Sequence, residues 1–353
     1  MIKQKASDSV SNTSKPTAQL VDRFGREVSY VRLSVTDRCD LRCVYCMSED
    51  MTFVPREQLL TLEEMSHIGK AFVDLGVNKI RITGGEPLTR RNIITVFESL
   101  GQLDGLNDLT VTTNASLLEK YAQPLKDAGV TRINISLDTI RADRFKKITR
   151  TGKLERTMAG IDAALAVGFE RVKINSVIMR NYNDDEIFDL IEFVRQRNMD
   201  ISFIEEMPMG EIGDHDRAAS FYSSDELLEA IKKRYSLVKS AEKTGGPASY
   251  YRFADSAVVD GTKNHCRIGF ISPHSHNFCD DCNRVRVTAE GMLLLCLGQE
   301  HSLDLRKIVR AHPTDDEILR QAIIDSMQLK PKGHDFNINE QPIIMRHMSA
   351  TGG

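Results

Sequence analysis

The chain has 353 residues, 41% hydrophobic and 27% charged, with a formal net charge of −3 at pH 7. No apolar run approaches the roughly 18 residues that a membrane-spanning helix requires, and the weakly acidic balance offers no electrostatic footprint for nucleic acid. The composition predicts a soluble, cytoplasmic, globular protein whose anionic partners are small molecules held in a local basic pocket.

The opening 20 residues, MIKQKASDSVSNTSKPTAQL, are polar, Ser/Lys-rich and poor in aromatics, the composition of a disordered lead-in. From about residue 30 to about 235, short β-branched runs then alternate with longer amphipathic stretches. Strands are predicted at 30–36, 78–83, 108–113, 131–136, 171–178 and 200–206, and helices near 61–75, 90–101, 116–128, 154–168, 184–197 and 224–235. Thr61, with Glu64 three residues later, reads as a capping box opening the first helix. Six strand-then-helix units imply a parallel sheet with right-handed crossovers. The predicted fold class is therefore α/β: a partial (βα)6 barrel over 21–235, with a separate C-terminal extension over 236–353 that does not continue the rhythm. In barrels of this kind the chemistry sits at the C-terminal ends of the strands.

The first strand leads directly into DRCDLRCVYCMSED, where Cys39, Cys43 and Cys46 are spaced C-x3-C-x2-C. Seven cysteines, an odd count with no secretory signal, argue for reduced thiols and metal ligation rather than disulfides. A tetrahedral zinc site or an ordinary iron–sulfur cluster wants four protein ligands. Three thiolates around a cubane of four irons leave one iron open to a small chelating molecule. The alternative here is a zinc knuckle completed by a distant ligand such as His67. The second strand ends in RITGGEP, residues 81 to 87, where Gly84 and Gly85 allow close backbone approach and Pro87 suits the first turn of a helix. Alone, that stretch is only a tight strand-to-helix turn.

Downstream, FCDDCNRVRVTAEGMLLLCLG places Cys279, Cys282 and Cys296 at C-x2-C-x13-C, with AEG as a three-residue hairpin loop. Setting Thr288 opposite Met292 sets Arg286 opposite Leu294, Arg284 opposite Cys296 and Cys282 opposite Gly298. The even-numbered residues then share a face, so the hairpin presents two cysteines and two arginines together. A zinc site completed by His274, His276 or Cys266 is again the alternative. Cys266 stands thirteen residues before the C-x2-C pair and outside that face, and is expected to be a bystander.

The run CDLRCVYC resembles the signature of the radical SAM superfamily, whose open iron binds the amino and carboxylate groups of S-adenosylmethionine. Together with RLSVTDRC, RITGGEPL, CNRVRVT and a terminal Gly-Gly, it resembles the GTP 3',8-cyclases of molybdenum cofactor biosynthesis, the MoaA family, over nearly the whole chain after residue 20. The resemblance implies two [4Fe-4S] clusters, one on Cys39, Cys43 and Cys46 and one on Cys279, Cys282 and Cys296, the second against the guanine of GTP. It implies an S-adenosylmethionine site with Tyr45 beside the adenine, Gly85 and Glu86 at the methionine end, Glu86 helping to hold the ammonium, and Ser136 and Met207 at strand ends. For GTP it implies Arg32, Arg81, Thr112, Lys173, Arg284, Val285 and Arg286, and fork-shaped guanidinium donors do suit phosphate oxygens.

The activity implied is that of a lyase. Reductive cleavage of S-adenosylmethionine gives a 5'-deoxyadenosyl radical, which abstracts the ribose 3' hydrogen of GTP, and the carbon radical attacks C8. Arg284, Arg286, Gly352 and Gly353 are implied in catalysis, the tail reaching into the active site. The partners implied are GTP, an unidentified electron donor, a downstream molybdopterin-precursor enzyme and, in a homodimer, a second copy of the chain, with no nucleic acid and no membrane. The competing readings are a radical SAM peptide-modifying enzyme with an auxiliary cluster and a zinc-stabilised, non-enzymatic binding module. No general acid or base can be assigned.

Overall fold

All six predicted strands form, each inside the span read from the sequence, in a computed structural model that describes residues 19–210, 215–242, 244–254, 258–259, 262–263, 265–340 and 346–352. In chain order, β1 (Tyr30–Ser34) is followed by α1 (Leu62–Asp74), β2 (Lys79–Thr83) by α2 (Ile94–Gly101), and β3 (Asp108–Thr113) by α3 (Leu118–Asp127). Next come β4 (Arg132–Ser136), α4 (Ala142–Thr149) and α5 (Leu154–Val167), β5 (Arg171–Val177) with α6 (Ile187–Gln196), and β6 (Asp200–Ile204) with α7 (Arg217–Ser220) and α8 (Ser224–Lys232). The strands pair in sequence order, each parallel to the next. The capping box of α1 is present: Glu64 N donates to Thr61 Oγ1 at 3.1 Å, and Thr61 N to Glu64 Oε2 at 2.8 Å. Helix α4 escapes the sequence pattern because ADRFKKIT is short and buries only Phe145, Ile148 and Thr149.

The extension holds β7 (Leu237–Lys239), β8 (Ser249–Phe253), the small hairpin of β9 (Val258–Val259) and β10 (Thr262–Lys263), β11 (Arg267–Ile271), β12 (Arg284–Val287), β13 (Met292–Leu294) and β14 (Ser302–Asp304). Helices α9 (Leu305–Ala311), α10 (Asp316–Ser326) and α11 (Met348–Thr351) complete the chain. The extension is continuous with the barrel sheet rather than separate from it. Strand β12 pairs parallel with β1 and β11 pairs parallel with β6, so twelve strands run in the order β14-β13-β12-β1-β2-β3-β4-β5-β6-β11-β8-β7. Both open edges of the six-stranded barrel are thereby covered, which removes two templates for aggregation. Neither β11 nor β12 is followed by a crossover helix, so the repeat that reveals the other six strands does not report them. The β12–β13 hairpin has the register expected from its alternation, with Arg286 opposite Leu294 and Val287 opposite Leu293.

Alternation within each strand divides its side chains between two environments. Val31 and Leu33 of β1, Ile80 and Ile82 of β2, and Ile133 and Ile135 of β4 are buried in the hydrophobic core. The intervening positions put Arg32, Arg81, Thr110 and Arg132 in register across β1 to β4. Closed barrels fill their bore with branched apolar side chains; this layer is polar and cationic. Packing begins at Leu20, which is buried in the core, where the lead-in was expected to end. Residues 1–18 of that lead-in lie outside the described residues. Among the described residues no helix is long and apolar enough to cross a membrane.

Candidate active site

The loop after β1 is held from two sides. Arg42 N donates to Thr149 O at 2.9 Å and Val44 N to Ile148 O at 3.0 Å, both at the end of α4. The Asp40 carboxylate accepts from Asn114 Nδ2 at 2.8 Å and from Ser116 Oγ at 2.6 Å. Cys39, Cys43 and Cys46 so fixed are free thiols lining a cavity, and Cys279, Cys282 and Cys296 line the same cavity. Burial pushes the Cys46 thiol up to about 11, and at Cys43 the charge of Cys46 adds to the effect of burial. Crowded, buried thiolates call for compensating positive charge, which an iron–sulfur cubane supplies.

Strand register locates the two triads. Cys282 lies two residues before Arg284, which pairs with Tyr30 at the start of β1, whereas Cys39 follows the end of β1. The first triad therefore follows the C-terminal end of β1 and Cys282 lies near its N-terminal end; the strand between spans roughly 13 Å at the usual rise per residue. Among the described residues no three His, Cys, Asp or Glu side chains close around a position for a single metal ion. The fourth ligands weighed for zinc sit off the cavity. His67 pairs with Asp316 at 2.8 Å, His276 with Asp225 at 2.7 Å, and His274 Nε2 lies 2.9 Å from Glu206 O. Cys266 is buried in the hydrophobic core immediately before β11, also off the cavity. Cys266→Ala is expected to leave iron content and turnover close to those of the unaltered protein; loss of about four irons per chain in metal analysis, one cubane, would make Cys266 a ligand.

On the first triad's side, Tyr45 Oη donates to Asp138 Oδ2 at 2.7 Å, and Val177 N donates to Asp138 Oδ1 at 2.8 Å. Burial raises the Asp138 carboxyl to about 6. Gly85 N donates to Thr36 O at 2.8 Å, and a Cβ at Gly85 would fall 2.4 Å from Arg38 O, so no side chain fits against the cysteine loop there. Ser136 and Met207 both line the cavity. Glu86 does not. It is fully buried behind the wall, and its carboxylate accepts from Leu88 N at 3.0 Å, Thr113 Oγ1 at 2.9 Å and Asn114 N at 2.7 Å. Burial raises it to about 7. In this structure Glu86 braces the turn against β3.

On the nucleotide side, all seven expected residues, Arg32, Arg81, Thr112, Lys173, Arg284, Val285 and Arg286, line the cavity. Thr112 Oγ1 and Asn175 Oδ1 are buried there without hydrogen-bond partners, which marks a place for a polar ligand. The chain's end enters the same space. Arg32 donates to Gly352 O through Nη2 at 2.8 Å and Nε at 3.2 Å, and Arg286 Nη1 donates to Gly352 O at 3.2 Å and Thr351 O at 3.3 Å. Gly352 has φ +76°, and a Cβ there would fall 2.0 Å from Thr83 Oγ1. Gly353 lies outside the described residues.

Residues 33–194 match the Radical SAM superfamily, and residues 199–336 match Molybdenum Cofactor Synthesis C. The chain is 56% identical over 334 residues to the GTP 3',8-cyclase of Saccharophagus degradans, covering 95% of this chain and 98% of that protein. It is 55% identical over 337 residues to the GTP 3',8-cyclase of Ectopseudomonas mendocina, covering 96% and 99% respectively. The chain belongs to the GTP 3',8-cyclase family. Among solved structures, Streptococcus suis SuiB bound to S-adenosylmethionine superposes with a TM-score of 0.56 at 16% identity, over 84% of this chain and 68% of that one. At that identity the likeness is one of fold alone.

Two residues of this GTP 3',8-cyclase family member stand beside the second triad without any motif to announce them. Lys330, almost wholly buried, donates through Nζ to Leu295 O at 2.7 Å and Arg284 O at 2.9 Å, and reaches to 3.7 Å from Cys282 Sγ. Burial alone would raise the Cys282 thiol, but the charges of Lys330 and Arg284 bring it below its ordinary value. His334 lines the cavity, following Gly333, whose Cβ position is 3.4 Å from Cys279 Sγ. The segment QLKPKGHDF has neither periodicity nor ligand spacing, so only the tertiary fold brings these side chains to the cysteines.

Proposed function

We propose that this chain is a radical SAM GTP 3',8-cyclase acting in molybdopterin precursor synthesis. The observation that carries the reading is one bore lined by two sets of three thiols and by a cationic wall. Cys39, Cys43 and Cys46 would hold a cluster that, when bound and reduced, would supply the electron for cleavage of S-adenosylmethionine, whose 5'-deoxyadenosyl radical would take the ribose 3' hydrogen of GTP before C3' joins C8. The rest is binding and orientation by the chain. Tyr45, held by Asp138, walls the adenine; the bare backbone of Gly85 admits the methionine end; Ser136 and Met207 close the S-adenosylmethionine site. Arg81, Lys173 and Arg284 receive the triphosphate, and Thr112 and the Val285 backbone complete its pocket. Arg32 and Arg286 serve both substrate and tail, which the five donors of a guanidinium allow. Cys279, Cys282 and Cys296 would hold the second cluster, which would bind the guanine. An external electron donor and a downstream molybdopterin-precursor enzyme meet the chain, alone or as a homodimer, in the cytoplasm.

Anaerobically reconstituted protein supplied with S-adenosylmethionine, reductant and GTP is expected to yield 5'-deoxyadenosine and the cyclised nucleotide together. Deoxyadenosine without cyclised nucleotide would overturn the cyclase reading. Arg284→Ala and Arg286→Ala are each expected to weaken GTP binding by ~1.5–3 kcal/mol, the scale of a hydrogen bond to a charged group. Cleavage of S-adenosylmethionine without GTP should persist in both. Unchanged GTP affinity in the two variants would remove the assigned pocket.

A further inference from the structure

Tyr30 opens β1, lines the cavity and is 1% exposed; its buried oxygen interacts with the Arg32 guanidinium, which can only donate, so among the described residues its hydroxyl proton has no acceptor. Buried phenols ordinarily find one. Its surroundings are cationic on three strands. Lys79 Nζ and the Arg81 guanidinium of β2 stand 5.0 Å and 5.5 Å from the ring centroid. Arg284 of β12 is its register partner, and Arg32 lies two residues further along β1. Burial alone would raise the phenol, but these four charges, Arg81 foremost, hold it down to about 7. Three of the neighbours are already engaged: Lys79 Nζ donates to Thr244 O at 2.8 Å and pairs with Asp108 at 3.1 Å, Arg81 Nε donates to Thr110 Oγ1 at 3.2 Å, and Arg32 Nη2 donates to Gly352 O at 2.8 Å.

We propose that Tyr30 is a substrate-binding residue, its hydroxyl donating a hydrogen bond to a phosphate oxygen of the nucleoside triphosphate. The inference rests on the cyclase reading of this bore. Cations on β1, β2 and β12 attract the oxygen end of the phenol dipole and leave its proton for an acceptor on the open side. An acceptor stable in that positive potential carries negative charge, as a phosphate oxygen does. Its arrival also screens the four cations, which returns the phenol toward its ordinary, protonated state. Tyr30 would thus be a neutral, shape-defining donor among flexible charges, and it would discriminate triphosphate from the bare nucleoside.

The test is Tyr30→Phe in the anaerobically reconstituted protein, with GTP and guanosine binding measured by equilibrium dialysis. The variant removes a hydroxyl whose proton has no acceptor and keeps the ring, so iron content and thermal stability should stay close to those of the unaltered protein. GTP affinity should fall about tenfold, the scale of one hydrogen bond to a charged group, with guanosine affinity unchanged, KM for GTP raised and kcat little altered. Equal GTP affinity in the two proteins would overturn the proposal, and so would equal weakening toward GTP and guanosine, which would mean a structural role. If the unaltered protein binds GTP no more tightly than guanosine, the phosphate site itself is misplaced, a failure separable from that of Tyr30.

Discussion

Replacing any one of Cys39, Cys43 and Cys46 by alanine is expected to abolish 5'-deoxyadenosine production. In the proposed assignment these three thiols are the first cluster's protein ligands, and the alternative fourth ligand read from the sequence, His67, is committed to Asp316. Two thiolates cannot hold a cubane that must also keep one iron open. The second triad hangs on a different part of the sheet, with Cys279 and Cys282 ahead of β12, Cys296 after β13 and Lys330 beside Cys282. Each variant should therefore retain about four irons, one cubane, and still bind GTP. Iron and sulfide analysis read alongside deoxyadenosine yield checks both halves. Deoxyadenosine production surviving in any one of the three variants would remove the first triad from its assigned place.

Removing Gly352 and Gly353 is expected to cut formation of the cyclised nucleotide at least tenfold while both clusters assemble and both small molecules bind. The tail carbonyls take hydrogen bonds from Arg32 and Arg286, two arginines that face each other in register across β1 and β12. Without those carbonyls the guanidinium groups lose their fixed orientation, and a misplacement of about 1 Å near reacting atoms costs on the order of a hundredfold in rate. Gly352→Val asks the same question without shortening the chain. Valine resists the positive φ, and its Cβ would meet Thr83 Oγ1, so the tail must leave its seat. Product yield measured beside iron content decides the matter; an undiminished yield in both variants would make the tail a bystander.

What could be read before folding, and what could not, divides along the range of the interaction. The six strands and the capping box of α1 depend on patterns a few residues long, and they appear where the alternation puts them. The β12–β13 register follows from the hairpin loop alone, and so does the meeting of Arg284 and Arg286 with Cys282 and Cys296. The joining of β11 to β6 and of β12 to β1 has no local signature, because pairing partners far apart in sequence leave no periodicity. The bracing role of Glu86 is hidden for a related reason: its motif reports a tight turn, but only tertiary contacts show that its oxygens accept from Leu88, Thr113 and Asn114. Lys330, Tyr30 and Asp138 acquire their character from neighbours on other strands. Helix α4 is short and charged, yet its C-terminal carbonyls hold the cysteine loop.

The pairing of β12 with β1 sets an order of events during synthesis. Tyr30 and Arg284 are neighbours in the sheet, so one edge of β1 stays open until nearly the whole chain has left the ribosome. Non-local closure of this kind is slow, and an exposed edge is an aggregation hazard while it lasts. Cys279 and Cys282 immediately precede β12 and Cys296 follows β13, so docking that hairpin extends the wall and delivers the second triad. A nascent chain can shape the first cysteine loop early, but the nucleotide chamber exists only after the late strand arrives.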